Sequence, residues 1–135
     1  MANNDKFRAS FGKRIDKAQG KFDSVMSRVI VAIDKKLVEV SPVDLGTFKS
    51  NWVPGDGAIN TTTTESTTPA NNEAAIMAIK IRGQTIYLTN SLDYAKALDE
   101  GHSKLQAPAP LGVVSLALMQ VDSIIKAAAA QVKKL

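Results

Sequence analysis

The side chains best suited to acid–base chemistry are concentrated near the middle of the second half of the chain. Asp93, Asp99 and Glu100 lie close to His102, the only histidine, and a hydrolase could build a site from these four residues. Neighbouring acids on a short helix, however, more often face solvent or another subunit. No nucleophile, base and orienting group recur together at a spacing that indicates catalysis. The sequence therefore predicts a protein that is not an enzyme.

Metal and nucleotide sites have equally little support in the sequence. The chain has no cysteine, which excludes disulfides and thiolate-bound metals. His102 has no second histidine with which to share a metal ion. The glycine-rich stretch Pro54-Gly55-Asp56-Gly57 lacks the lysine and the following helix of a phosphate-binding loop. We expect no metal and no cofactor.

Length and composition are those of one globular domain over residues 1–135. Of the 135 residues, 44% are hydrophobic and 22% are charged, which is ordinary for a domain with its own core. No apolar run has the length needed to cross a bilayer, and the polar first residues lack the apolar core of a secretion signal. We expect a protein made and used in a cytosol, with no membrane partner.

The first forty residues show one long helical pattern. Apolar residues recur at steps of three or four from Phe7 to Val40, which is the spacing of one helix face. A continuous helix over residues 5–40 would be about 50 Å long, more than a domain of this size covers by itself. A break near Gly20 is the alternative, because glycine weakens a helix. Part of the apolar stripe is therefore expected to need another subunit.

The first half of this helix also carries a basic cluster. Its members are Lys6, Arg8, Lys13, Arg14, Lys17 and Lys21. These residues are candidates for DNA contact, although a charge-rich helix face is more often only solvated. The aromatic residues among them, Phe7 and Phe11, belong to the apolar stripe and do not form a base-stacking platform. A small basic nucleic-acid-binding protein is the alternative function.

A turn and a strand follow the helix. Ser41-Pro42 disfavours further helix, since proline has no amide hydrogen and restricts the residue before it. Asp44 can bond the backbone ahead of it, and Gly46 can take a positive φ, so the turn is centred on these two residues. Trp52, the only tryptophan, is predicted to anchor the strand layer.

The next segment is polar and then strongly β-like. Residues 54–72 are predicted to form a flexible loop, with a strand within the threonine run at 61–67 as an option. Residues 75–90 alternate apolar and polar side chains on both sides of Gly83-Gln84, which predicts an antiparallel hairpin. The apolar face of that hairpin would carry Ile79, Ile81, Ile86 and Leu88.

The chain is predicted to end in helix. Asn90 to Asp93 would cap a short helix that ends at Gly101. Apolar residues at helical spacing then predict one amphipathic helix over residues 110–135, with Lys133 and Lys134 at its C-terminal end as the helix dipole favours. The predicted fold class is α+β, with a small antiparallel sheet packed against a long N-terminal helix and a C-terminal helix.

Several of these residues, taken in order, form a pattern found in a known family. The turn Ser41-Pro42-Val43-Asp44-Leu45-Gly46, a segment ending in Trp52, then Tyr94-Ala95 and Glu100-Gly101 resemble the tail-completion, or neck, proteins of tailed double-stranded DNA phages. This family is related to the minor tail protein Z of phage lambda. The resemblance spans residues 25–125. Leu45 and Phe48 depart from it, since the family usually has a small polar residue and often a basic residue there.

The resemblance implies a structural role in the virion and no active site. Subunits would form a symmetric ring around the DNA channel at the head–tail junction, after assembly in the host cytoplasm. Expected partners are other copies of the chain, other neck, portal-side or tail proteins, and DNA by non-specific contact. The residues that carry the family pattern are Pro42, Asp44, Gly46, Trp52, Tyr94, Glu100 and Gly101.

Overall fold

The computed structural model describes residues 2–42, 46–69, 71–96 and 112–133. The elements in chain order are helix α1 (Ala2–Val40), a short 3-10 helix (Lys49–Asn51), strand β1 (Trp52–Asp56), helix α2 (Glu73–Met77), strand β2 (Ile86–Asn90), helix α3 (Val113–Leu118) and helix α4 (Val121–Lys133). A two-stranded antiparallel sheet thus accompanies a long N-terminal helix and a helical C-terminus, and the predicted α+β class is confirmed.

Helix α1 is uninterrupted over 39 residues, so the break considered near Gly20 is absent. A glycine costs a helix only about 1 kcal/mol, which its helix-forming neighbours offset. Burial is confined to the second half of α1, where Ile30, Val31 and Leu37 enter the core. The first half is exposed along almost its whole described length.

The sheet is not the predicted hairpin. Strand β2 forms where a strand was expected, but it pairs with β1, with Trp52 opposite Asn90 and Asp56 opposite Ile86. The segment expected to be the first hairpin strand begins instead as helix α2, with Glu73 in its first turn. Alanine and methionine favour helix over strand, and a helix here directs Ile76 into the core, where it is 1% exposed. Gly83 nevertheless has the positive φ expected of a turn, 84°.

The core consists of two apolar clusters, each of which includes residues of α1. One consists of Leu37, Phe48, Trp52, Val113 and Ala117, and the other is centred on Ile30, Val31 and Ile76. Three residues of the predicted hairpin face, Ile81, Ile86 and Leu88, do pack against the second cluster. Leu88 also contacts the first cluster, which contains residues of α3. The predicted face is therefore right for these three residues, whereas Ile79 is only half-buried and Ile76 occupies the core.

The C-terminal helix is divided, contrary to the prediction of one helix. Helix α3 ends at Leu118 and α4 begins at Val121, with a turn at Met119 and Gln120. Neither turn residue is glycine or proline, so local propensity contains no signal for the division. Val113 and Ala117 pack near Leu37, while Gln131 accepts a hydrogen bond from Arg28 at 3.3 Å. Helices α3 and α4 therefore run back along α1 towards its N-terminus.

The polar loop contains no strand at 61–67, and residues 61–68 are exposed. Its first predicted residues, Pro54 to Asp56, belong to β1. The loop is attached through Asn51, whose side chain accepts a hydrogen bond from the Thr64 amide at 2.8 Å and donates one to the Thr64 carbonyl at 3.0 Å. A side-chain amide thus satisfies the backbone groups that a neighbouring strand would otherwise bond.

Candidate functional site

The end of α1 is tied to the sheet by a buried serine. The Ser41 hydroxyl donates to the Leu37 carbonyl at 2.6 Å and accepts a hydrogen bond from the Trp52 indole N–H at 2.9 Å. Both side chains are buried. A serine that bonds the carbonyl four residues earlier is common at a helix end, and Pro42 prevents the helix from continuing. The predicted anchoring role of Trp52 therefore includes a direct bond to the helix terminus.

Gly46 has the positive φ that was expected, 81°. A side chain there would be strained, and its Cβ would also collide with the carbonyl oxygen of Thr67. The Gly46 carbonyl accepts two hydrogen bonds from Ser50, one from its hydroxyl at 2.6 Å and one from its amide at 3.2 Å. Gly46 is therefore the point where the turn and the polar loop touch. Asp44, predicted in the same turn, lies outside the described residues.

Phe48, which departs from the family pattern, is a core residue. Its ring meets the Trp52 ring edge to face, with centroids 5.8 Å apart and an interplanar angle of 69°. Its carbonyl accepts a hydrogen bond from the Asn90 side chain at 2.7 Å. An aromatic residue thus contributes packing at a position where a basic residue would have been costly to bury.

A buried polar contact that the sequence analysis did not identify joins α1 to the segment before α2. The Asn72 side chain donates to the two carboxylate oxygens of Asp34 at 3.1 and 3.3 Å, and to the Trp52 carbonyl at 2.8 Å. Burial raises the pKa of Asp34, and this outweighs the opposing effects of the Asn72 hydrogen bond and of the Lys35 charge. One signal was available, since Asp34 lies at helical spacing from Ile30 and Leu37 on the buried face of α1.

Of the residues considered for catalysis, only Asp93 lies within the described part of the chain. Asp93 and Tyr94 are exposed in a turn after β2. Asp99, Glu100, Gly101 and His102 lie outside the described residues, as does most of the predicted short helix. Within residues 2–42, 46–69, 71–96 and 112–133, no group of three or more potential metal ligands lies together.

The first half of α1 presents large apolar side chains to solvent. Four large apolar side chains of one stripe, Phe7, Phe11, Ile15 and Phe22, are between 52% and 68% exposed. The Phe7 and Phe11 rings stack nearly parallel, with centroids 6.0 Å apart. All six residues of the predicted basic cluster are exposed on the same half-helix. We call residues 2–21 the projecting segment.

The projecting segment extends beyond the helices that cover the rest of α1. The last turns of α4 lie beside Phe22 and Val25, and a groove between the two helices is lined there by Ala129, Ala130 and Val132. From this point back to Ala2, α1 continues for about 28 Å at 1.5 Å per residue. The same side of α1 that α4 covers near Phe22 is thus open to solvent along the projecting segment.

Comparisons with known proteins found no relative of this chain. No family model, no curated protein and no solved structure matches the chain. Among the helices in the described ranges, none combines the length and the apolar character that a membrane span requires.

Proposed function

We propose that this protein is a structural component of the head–tail junction of a tailed phage, a neck or tail-completion protein that forms a homo-oligomeric ring around the DNA channel. The proposal begins from the ordered set of residues that resembles that family. In this role the protein acts by binding other proteins through its surfaces and does not catalyse a reaction. Its partners would be other copies of the chain and neighbouring neck, portal-side or tail proteins in the virion, with assembly in the host cytoplasm.

The observation that carries the proposal is the exposed apolar stripe of the projecting segment. Burying one large apolar side chain contributes about 1.5–3 kcal/mol, so a helix that leaves Phe7, Phe11 and Ile15 in water forgoes several kcal/mol. A contiguous exposed apolar surface on a soluble protein indicates an interaction site. A ring requires each subunit to offer such a surface to the next.

The turn after α1 supports a positioning role for the family-pattern residues. Pro42, Gly46 and Trp52 lie where α1 meets the sheet, and hydrogen bonds through Ser41 fix that junction. A rigid junction holds the projecting segment at a constant angle to the rest of the subunit. A ring closes only if every contact between neighbouring subunits has the same geometry, because a variable angle gives open or irregular assemblies.

A complementation experiment tests the proposed function. A phage lacking the protein should accumulate DNA-filled heads and tails that are unjoined or malformed, with DNA packaging largely preserved. Supplying the chain with Phe7→Ser and Phe11→Ser together should fail to restore infectious particles. The matched control is Ala9→Ser, on the opposite side of the helix, which should restore them. Normal particles from the deletion would refute the proposal.

A small basic nucleic-acid-binding protein is the second candidate, and the six exposed basic residues of the projecting segment favour it. A protein of this class is expected to be a monomer. Its affinity for DNA should fall steeply as the salt concentration rises, because each neutralised phosphate releases counterions. A discrete oligomer that binds DNA weakly or not at all favours the neck reading. Mass determination in solution, with a DNA titration at two salt concentrations, separates the two.

A further inference from the structure

The groove between α1 and α4 is lined by apolar side chains and lysines. Its apolar lining consists of Phe22 and Val25 from α1 and of Ala129, Ala130 and Val132 from α4. Phe22, Ala129 and Ala130 are exposed, and Val25 is half-buried. The described part of the chain therefore leaves the apolar surface of this groove open to solvent.

The remaining lining residues, which we call the groove lysines, are Lys21 on α1 and Lys126 and Lys133 on α4. Lys126 and Lys133 lie about 10 Å apart along the axis of α4, and all three lysines are exposed. No ion pair among the described residues involves any of them. No acidic residue of the described ranges lines the groove, so its charge is positive on both helices.

An occupant of this groove must offer apolar side chains and negative charge together. DNA would neutralise the groove lysines but would leave Phe22 in water. The projecting segment of a second copy has apolar side chains, but its six basic residues outnumber its two acidic ones, and like charges across an interface are unfavourable. A flat bilayer with anionic lipids would touch the ridges of the two helices and leave the groove between them unfilled.

We propose that this groove binds an acidic amphipathic helix of another protein. An amphipathic helix that lays its apolar face into a groove, with anchors at positions i, i+3, i+4 and i+7, is a common mode of recognition. The short side chains of Ala129 and Ala130 allow the axis of a third helix to come close to α4. Aspartate or glutamate on the two sides of the anchors would meet the groove lysines. The groove lies within one subunit, so the inference does not depend on the proposed ring.

Fluorescence anisotropy of the full chain with synthetic peptides tests this inference. The probe is a labelled peptide of about 20 residues, because isolated helices shorter than about 12–15 residues are marginal in water. It carries leucine at helical spacing on one face and glutamate on both sides of the leucines. Two control peptides have glutamine or lysine in place of every glutamate. The full chain should bind the glutamate peptide about tenfold more tightly than the glutamine peptide, and this difference should shrink as salt is raised.

Reversal of charge in the groove should reverse this preference. Lys21→Glu together with Lys126→Glu should weaken binding of the glutamate peptide about tenfold and should strengthen binding of the lysine peptide. The matched control is Lys13→Glu together with Lys80→Glu, which changes the net charge equally at exposed positions outside the groove. This control should bind the glutamate peptide within about twofold of the natural chain.

The full chain with Phe7→Ser and Phe11→Ser should also bind the glutamate peptide as the natural chain does, because both residues lie outside the groove. Loss of binding in this variant would place the peptide on the projecting segment and overturn the inference.

Three further outcomes would overturn it. They are failure of the glutamate peptide to bind, equal affinity for the glutamate and glutamine peptides, and an equal loss of binding in the two double lysine variants. Binding to phosphatidylglycerol vesicles in place of the peptide, lost on reversal of Lys21 and Lys126, would identify a lipid surface as the partner instead. None of these outcomes touches the phage complementation result, so the proposed function is judged separately.

Discussion

Three buried polar side chains, Ser41, Asn51 and Asn72, connect elements that are distant in sequence. Ser41 bonds Trp52, Asn51 bonds Thr64, and Asn72 bonds both Asp34 and the Trp52 carbonyl. A buried polar group left without a partner costs about 1–3 kcal/mol, so each contact penalises other arrangements of the same chain. At the scale of single residues, the junction of α1 with the sheet is specified by hydrogen bonds as well as by apolar packing.

Asp34 gives this junction a dependence on pH. Its pKa is raised by burial above the ordinary value of 3.8, so its charged form is less favourable in the folded than in the unfolded chain. Its contribution to stability is full below pH 3.8 and is lost as pH rises through the raised pKa. Replacing Asp34 with asparagine removes this loss, so the free energy of unfolding of Asp34→Asn relative to wild type should be greater at pH 7 than at pH 3.5.

Urea denaturation at the two pH values measures this difference. Asp16→Asn is the matched control, because it removes a carboxylate from the exposed part of the same helix. The control should show a smaller change between the two pH values than Asp34→Asn does. A relative stability of Asp34→Asn that falls between pH 3.5 and pH 7 would contradict the raised pKa.

At the scale of elements, α2 occupies the place where a strand was expected, and this changes which isoleucine is critical. Ile76 is 1% exposed against Ile30 and Val31, whereas Ile79 is only half-buried. Ile76→Asp would bury an unpaired carboxylate at a cost of several kcal/mol, comparable with the whole stability of a small domain. We expect Ile76→Asp to unfold the protein and Ile79→Asp to lower its stability by less.

Thermal unfolding followed by circular dichroism compares the two variants directly. Because the same substitution is made three positions apart, differences in charge and in side-chain size are matched. A cooperative transition that survives in Ile76→Asp but is lost in Ile79→Asp would support the hairpin instead of helix α2.

At the scale of the whole molecule, the described chain divides into a packed body and the projecting segment. Removing residues 1–20 deletes the exposed side chains of residues 4–20 and leaves the two apolar clusters intact. The truncated chain should therefore keep a cooperative unfolding transition but lose the proposed self-association. Analytical ultracentrifugation at matched concentrations measures the second effect, and circular dichroism measures the first.

Full-length Ala9→Ser is the control for that experiment and should associate as the natural chain does. An assembly of the same mass from the truncated chain would show that the projecting segment is not the contact between subunits. Loss of the unfolding transition on truncation would show instead that the segment contributes to the stability of the body.

Much of this fold follows from local rules acting on short stretches of sequence. The 3–4 spacing from Phe7 to Val40 was enough to predict α1, whose first half the rest of the described chain leaves exposed. The stop at Ser41-Pro42 and the positive φ of Gly46 follow from the stereochemistry of proline and glycine. Strand β2 was recognisable from its alternation, and the strand at Trp52 was expected next to the turn. Each of these features depends on residues within a few positions of one another.

The tertiary structure decided the features that depend on distant partners. A short alternating segment can form a strand or a helical turn, and residues 73–77 became helix because Ile76 fills the core beside Ile30 and Val31. Strand β2 has β1 as its neighbour because Trp52 is held at the end of α1 by its hydrogen bond to Ser41. The division between helices α3 and α4 occurs at residues that are neither glycine nor proline, so the local sequence does not predict it. In each case part of the free energy came from contacts between residues far apart in the chain, which local propensity does not contain.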